Sequence, residues 1–305
     1  MKKISSGRKK YKSDYAMLTI SHFVLCALSV TALIPFVLLI ISSLTDEQTA
    51  IKNGFSFFPE KWSLGAYEYL MGEMAQIGRA YLMTIAVTVL GTCLCLVITT
   101  LLAYGLTREV PGRKVINFMV IFTMLFNGGI VASYYVWTNI FHVKDTIWGL
   151  VLPGGLMLSA FNVILMKNYF RSSIPESLIE SAKIDGAGEF KVFRAIILPL
   201  SKPIIATIGL MTAINYWNNW TNGLYYIEDS RYYTIQLVLN QINESATFLA
   251  GNSSQMGSFM NGTASIPTTT MRMAIAVLGV LPILLAYPFF QKYFVKGITI
   301  GAVKG

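Results

Sequence analysis

Charge is scarce in this 305-residue chain: 13% of its residues are Asp, Glu, Lys or Arg, against about a quarter in ordinary soluble chains. No acidic residue falls in the middle of an apolar run, which removes the buried ion-coupling carboxylate that a self-sufficient secondary transporter needs. Histidine is nearly absent. His22 and His142 stand alone, so no metal or catalytic role is expected for either, and no cluster of His, carboxylate and Ser points to a membrane enzyme. The cysteines Cys26, Cys93 and Cys95 all sit in apolar stretches. They make neither a Cys-x-x-Cys nor a Cys/His spacing, and disulfides are not expected. There is also no Gly-x-x-x-x-Gly-Lys-Ser/Thr loop to cradle a phosphate, so the chain itself is not expected to bind ATP or any other cofactor.

What is abundant is apolar surface, 54% of the residues, and it is clustered. Six runs approach or exceed the roughly 20 residues that cross a bilayer as a helix: 15–44, 80–106, 115–141, 146–166, 203–225 and 271–290. A soluble fold buries one such helix, not six in succession. Backbone amides have no partners in hydrocarbon, so the spans are predicted to be helices, and the fold class is all-α, a polytopic membrane protein in a lipid bilayer. Pro35, Pro153 and Pro282 lie inside spans, where neighbours can cover the freed carbonyls. The basic stretch at 1–14 followed by an apolar run resembles a signal peptide. The run is too long and lacks a small-residue cleavage site, so it reads as an uncleaved first span. The remainder, 15–305, reads as one transmembrane domain with a core of about 76–290.

With six spans both termini share a side. Placing them in the cytoplasm puts eighteen of the 24 Lys and Arg inside, which is the bias of the positive-inside rule. That bias accounts for the net charge of +9 without any nucleic-acid partner. The outer loop at 227–270 is the longest. Its 232–242 stretch suits a short interfacial helix, and Gly251, Asn252, Ser253, Ser254, Gly257, Ser258, Asn261, Gly262 and Thr263 suit a flexible solvated loop. The tail is 291–305.

The cytoplasmic loop 167–202 carries the most information. Residues 174–203 read IPESLIESAKIDGAGEFKVFRAIILPLSKP. Pro175 suits a first helical turn, with Ser173 as a candidate cap. Glu176 and Glu180 share a face, and Leu178, Ile179 and Ala182 form a small apolar one. Gly186 after Asp185 breaks the helix, because glycine takes the left-handed position at a helix end. A second short helix then starts near Ala187, carries Phe190, Phe193 and Ile197, and is ended by Pro199 and Pro203. The product is a helix–glycine–helix elbow shaped to enter a partner's cleft. The plain alternative is a loop helix that only spaces the fourth and fifth spans.

This stretch resembles the loop of ATP-binding-cassette importer permeases, which have the form Glu-Ala-Ala, three residues to Gly, then a proline-ended segment. Here Glu180-Ser181-Ala182, Asp185-Gly186-Ala187, Phe193, Leu198-Pro199 and Pro203 take those places, with Ser181 replacing an alanine. The tail Phe294-Val295-Lys296-Gly297 through Gly301-Ala302-Val303-Lys304-Gly305 is similar to the carbohydrate branch, in particular the smaller membrane subunit of maltose-type systems. Phe126-Asn127-Gly128-Gly129 and the segment around Trp217 resemble permeases for complex oligosaccharides in Gram-positive bacteria. The resemblance implies a type I importer permease in the plasma membrane of a bacterium. It implies that Glu180, Ser181, Ala182, Asp185, Gly186 and Ala187 seat the elbow in an ATPase subunit. The implied partners are a second homologous permease, two ATPases that bind ATP, and an extracellular sugar-binding lipoprotein. The implied cargo is carbohydrate. An importer for another solute, such as amino acids, peptides or a metal, is the alternative. In maltose-type relatives the outer loop reaches into the binding protein, and 244–263 lies in the corresponding place.

Asn215, Asn218, Asn219 and Asn222 are spaced as one stripe on a helix, with Trp217 and Trp220 beside them. Amides that donate and accept, beside flat aromatic faces, suit a sugar. Asn162 and Asn127 are further candidates. Two other readings stay open: tryptophans near a span's outer end form an interfacial belt, and asparagines bond to neighbouring helices.

Overall fold

The computed structural model describes residues 12–256 and 268–302. Residues 1–11, 257–267 and 303–305 lie outside the described residues, and with them most of the basic N-terminus, part of the expected solvated loop and the end of the tail. Among the described residues regular structure is helical, apart from one isolated antiparallel bridge between Thr45 and Trp62.

In chain order the α-helices are α1 (Lys12–Ser43), α2 (Glu47–Asn53), α3 (Gly65–Gly72), α4 (Met74–Thr107), α5 (Arg113–Leu125), α6 (Gly129–Tyr135), α7 (Ile147–Val151) and α8 (Ala160–Ser173). They continue with α9 (Glu176–Ile184), α10 (Glu189–Val192), α11 (Leu198–Leu200), α12 (Lys202–Trp217), α13 (Thr221–Tyr226), α14 (Ile235–Met256) and α15 (Thr268–Ala302). The chain divides into two compact units, Met1–Met71 with Ala246–Leu278, and Gly72–Ser245 with Gly279–Gly305.

In the first unit α1 is apolar on every side, and its side chains from Met17 to Phe36 are exposed. Such a surface is stable only where lipid covers it. Three of its hydroxyls are satisfied inside the helix: Thr19, Ser29 and Thr31 each donate to the carbonyl four residues back. Burial begins at Ser42. There the chain turns through the Thr45–Trp62 bridge and an ion pair between Lys61 and Asp46 at 3.1 Å. The Lys61 bond holds the Asp46 carboxyl below its usual range. Glu47 is buried and accepts from Thr269 N at 2.7 Å, Thr270 N at 2.8 Å and Thr270 Oγ1 at 2.6 Å. It thereby caps the free amides in the first turn of α15.

In the second unit α4 lies against both α8 and α12. Small residues allow this approach. A Cβ on Gly91 would sit 2.4 Å from Tyr216 Cζ, so the Tyr216 ring fills the space that a side chain would take. Gly91 therefore serves helix packing. One apolar cluster joins Val87, Leu150, Val151, Tyr216 and Ile227. A larger one joins the end of α4 (Ala103, Tyr104), α8 (Met166, Phe170), the elbow (Ile179, Val192, Phe193, Ile197) and α12 (Ile204, Ile208).

Several expected spans are not continuous helices. The first and second are, as Met17–Ser43 and Met74–Thr107. The third breaks at 126–128, where Asn127 Oδ1 accepts from Gly129 N at 3.0 Å and Gly129 takes φ 78°, and the helix axis bends there by 120°. The fourth unwinds at Pro153-Gly154-Gly155, where both glycines have positive φ, and becomes regular only at Ala160. The fifth ends at Trp217 rather than at 225. Its sixteen residues rise about 24 Å, short of the roughly 30 Å of hydrocarbon, and 218–226 follow as a turn and α13. The outer loop is more ordered than its composition suggests: α14 runs to Met256 and takes in Gly251, Asn252, Ser253 and Ser254. The last helix continues through Ala302, into the expected tail.

Candidate functional site

The elbow forms from the residues that the spacing singled out. Pro175, not Ser173, precedes the first turn of α9, and its fixed φ of −61° directs the chain out of α8. Ser173 is instead the last residue of α8. At the other end Gly186 takes φ 78°. Gly186 N donates to Lys183 O at 3.0 Å and Ala187 N donates to Ala182 O at 2.9 Å. This pair of bonds is the Schellman closure of a helix, and the accompanying apolar contact is present, because Ala182 and Ala187 pack on the same cluster. The second helix starts at Glu189, two residues later than expected, and Pro199 lies within α11 rather than ending the segment. The bend into α12 falls at Ser201 and turns the helix axis by 75°.

The elbow has two faces. Ile179, Val192, Phe193 and Ile197 are buried against the spans. Glu180, Ser181 and Asp185 are exposed, as are Leu178, Ile184 at 86% and Phe190 at 74%. A surface of apolar side chains ringed by carboxylates, on a segment pinned from behind, is what a cleft-filling element presents. Sequence reasoning did not single out Glu189. Its Oε1 is 2.7 Å from Lys183 Nζ, while Oε2 accepts from Tyr104 Oη and lies 3.5 Å from Arg108 Nε. The Lys183 bond, followed by that from Tyr104, holds its carboxyl below the usual glutamate value.

The second group does not form the stripe that its spacing predicted. Helix α12 stops at Trp217, and Asn218 N folds back to Ile214 O at 3.1 Å. Asn219 Oδ1 accepts from Asn222 N at 3.0 Å and so starts α13. Asn222 is 4% exposed and donates to Leu150 O and Pro153 O, holding the unwound part of the fourth span. Asn162 is also buried, donating to Thr212 Oγ1 at 3.4 Å beside Cys95. These two amides serve helix-to-helix bonding. Trp217 is half-buried, with Nε1 3.4 Å from Gly279 O and its ring 6.3 Å from that of Tyr81. Asn215, Asn218, Trp220 and, in the third span's break, Asn127 remain exposed. A cavity of about 560 Å³ opens between α4 and α12, with Thr88, Thr92, Leu96, Gly209 and Trp217 among its lining. Its walls are almost wholly apolar, so it offers a sugar few hydrogen bonds.

The chain thus combines helices long and apolar enough to cross a membrane with a glycine-turned elbow packed against α4, α8 and α12. The chain belongs to the family described as binding-protein-dependent transport system inner membrane component, which it matches over residues 15–300. It is 40% identical over 273 residues to the polygalacturonan/rhamnogalacturonan transport system permease protein YtcP of Bacillus subtilis, covering 89% of this chain and 92% of that one. It is 39% identical over 274 residues to protein LplC of the same organism, covering 90% of each. Among solved structures it matches a chain of a bacterial ABC transporter involved in the import of the acidic polysaccharide alginate. The TM-score is 0.74 at 27% identity, over 93% of this chain and 99% of that one.

Proposed function

We propose that this chain is one of two homologous permease subunits of an ATP-driven importer that carries carbohydrate of oligosaccharide size into a bacterial cell, with both termini in the cytoplasm. The observation that carries the reading is the elbow: an exposed carboxylate and apolar face, bent at Gly186, on a segment whose back is packed into α4, α8 and α12. A force applied to that face reaches three spans through one close-packed core, because such interiors transmit strain rather than absorb it. Glu180, Ser181, Ala182, Asp185, Gly186 and Ala187 are the docking segment. The ATPase subunits bind and hydrolyse the nucleotide, and their closure draws the elbow inward. The breaks at Asn127 and at 218–220 sit where a helix can swing without breaking its own ladder, and Asn215, Asn218 and Trp220 are the exposed groups best placed to meet a sugar hydroxyl. An extracellular sugar-binding lipoprotein delivers the cargo. The carbohydrate class is supported by relatives whose names carry polygalacturonan, rhamnogalacturonan, melibiose and alginate.

The test is reconstitution of the permease with its co-purifying subunits, followed by ATP hydrolysis measured against a panel of galacturonate oligomers, raffinose and amino acids. Stimulation by one sugar class, dependent on the binding protein, is expected. Stimulation by amino acids alone, or uptake with no ATPase present, would sink the reading.

A further inference from the structure

We infer that Glu189 is a positioning residue that latches the elbow to the cytoplasmic end of α4. The inference rests on the docking role proposed above and adds how the second span is driven. The elbow is continuous in the chain with α8 before it and α12 after it, so a pull on it reaches those helices covalently. No such link joins it to α4, which ends at Thr107, some seventy residues before α9 begins.

What joins them is a single cluster of side chains. Tyr104 lays its ring against Phe193, with centroids 5.0 Å apart. Arg108, one turn on, stacks its guanidinium 4.6 Å above the Tyr104 ring. The Arg108 side chain is 17% exposed, and its Nε and Nη2 are buried without a hydrogen-bond acceptor. Among the described ion pairs Glu189 supplies its one carboxylate, 3.5 Å away. The same carboxylate accepts from Tyr104 Oη and pairs with Lys183 Nζ at 2.7 Å. Lys183 lies before the Gly186 turn and Glu189 after it. One side chain therefore ties both arms of the elbow to each other and to α4. The apolar core transmits strain but is non-directional, so it does not by itself set the register between α4 and the elbow. A charge-assisted hydrogen bond fixes distance and register, and the partly buried Arg108 charge makes parting from its counter-ion costly.

The test uses the assembled, reconstituted complex with spin labels at Glu109 and Lys191, one on either side of the latch and both exposed. Label separation is read with and without ATP and vanadate. In the parent complex one narrow distance is expected in both states. Glu189→Gln keeps the side chain's size and removes its charge, and Tyr104→Phe removes only the hydroxyl. Each is expected to raise a second, longer distance roughly tenfold in population, the size of one charge-assisted hydrogen bond. The ATPase should stay bound. The double variant should detach α4 by less than the sum of the two single ones, since both weaken the Tyr104–Glu189 bond. Unchanged distances in both variants, strictly additive effects, or loss of the ATPase in Glu189→Gln would each overturn the latch. If Glu189→Gln does not fold, Tyr104→Phe alone decides. Failure of the docking role is distinct: Gly186→Val would then leave ATPase attachment intact while the Glu189 variants still detach α4.

Discussion

Gly186 offers the sharpest test of the elbow, because the structure separates two costs that usually act together. A Cβ built there meets nothing within 4 Å, so a side chain costs no steric clash with neighbours. The φ of 78° remains, and an L-residue forced into that region loses about 1–2 kcal/mol. That is a factor of roughly 5–30 in the fraction of molecules holding the turned elbow. The cost should follow backbone preference and not volume. Asparagine, which tolerates the left-handed region, should lose least, alanine more, and valine most because its branched Cβ resists positive φ. The assay is ATP hydrolysis by the reconstituted complex stimulated by its binding protein, read with the amount of ATPase that co-purifies. The expected order of activity is Gly, Asn, Ala, Val. If Ala and Asn are equal, or Val works as well as Gly, the left-handed turn is not what presents this face and the reasoning fails.

Other consequences are as direct. Gly91→Ala drives a methyl group to 2.4 Å from the Tyr216 ring and should destabilise the α4–α12 pair by about 1–3 kcal/mol in a detergent melt, with partial recovery when Tyr216→Leu is added. Asn222→Ala strips the amide from Leu150 O and Pro153 O, and a loss of about 2 kcal/mol with faster proteolysis near Gly154 is expected. A variant that loses sugar uptake yet melts normally would instead place Asn222 in the path. Acid should loosen the latch in one direction only. The Glu189 carboxyl is depressed below its ordinary 4.5, so its stabilisation is complete above that value and is lost as pH falls through the lower folded one. The label separation across the latch should be constant from pH 6 to 9 and lengthen only below about 4.5; lengthening near neutrality would contradict the assignment.

Composition and local spacing were enough for the membrane class, the first two spans and the elbow, because each is set by residues close in sequence: a long apolar run, or a proline, a glycine and the helix between them. The turn at Gly186 was legible for that reason. The breaks at 126–128 and 153–155 were less so, since glycine pairs occur inside membrane helices without breaking them, and only packing decides. The asparagine stripe failed at one point. A 3.6-residue period says which residues would share a face if the helix continued, and it does not say that Trp217 ends it. Composition also overstated the looseness of the outer loop, where Gly251 to Ser254 lie in α14. Glu189 and Glu47 escaped notice because their partners are distant. Nothing local to either glutamate points to Tyr104, Arg108 or Thr270.

The cap on α15 has a consequence for how the protein is made. The residue that completes the first turn of the last helix lies 222 positions before it, so Glu47 lacks these partners until nearly the whole chain has been synthesised. A product truncated before the last helix would lose all three of these bonds and leave the Glu47 carboxylate without them.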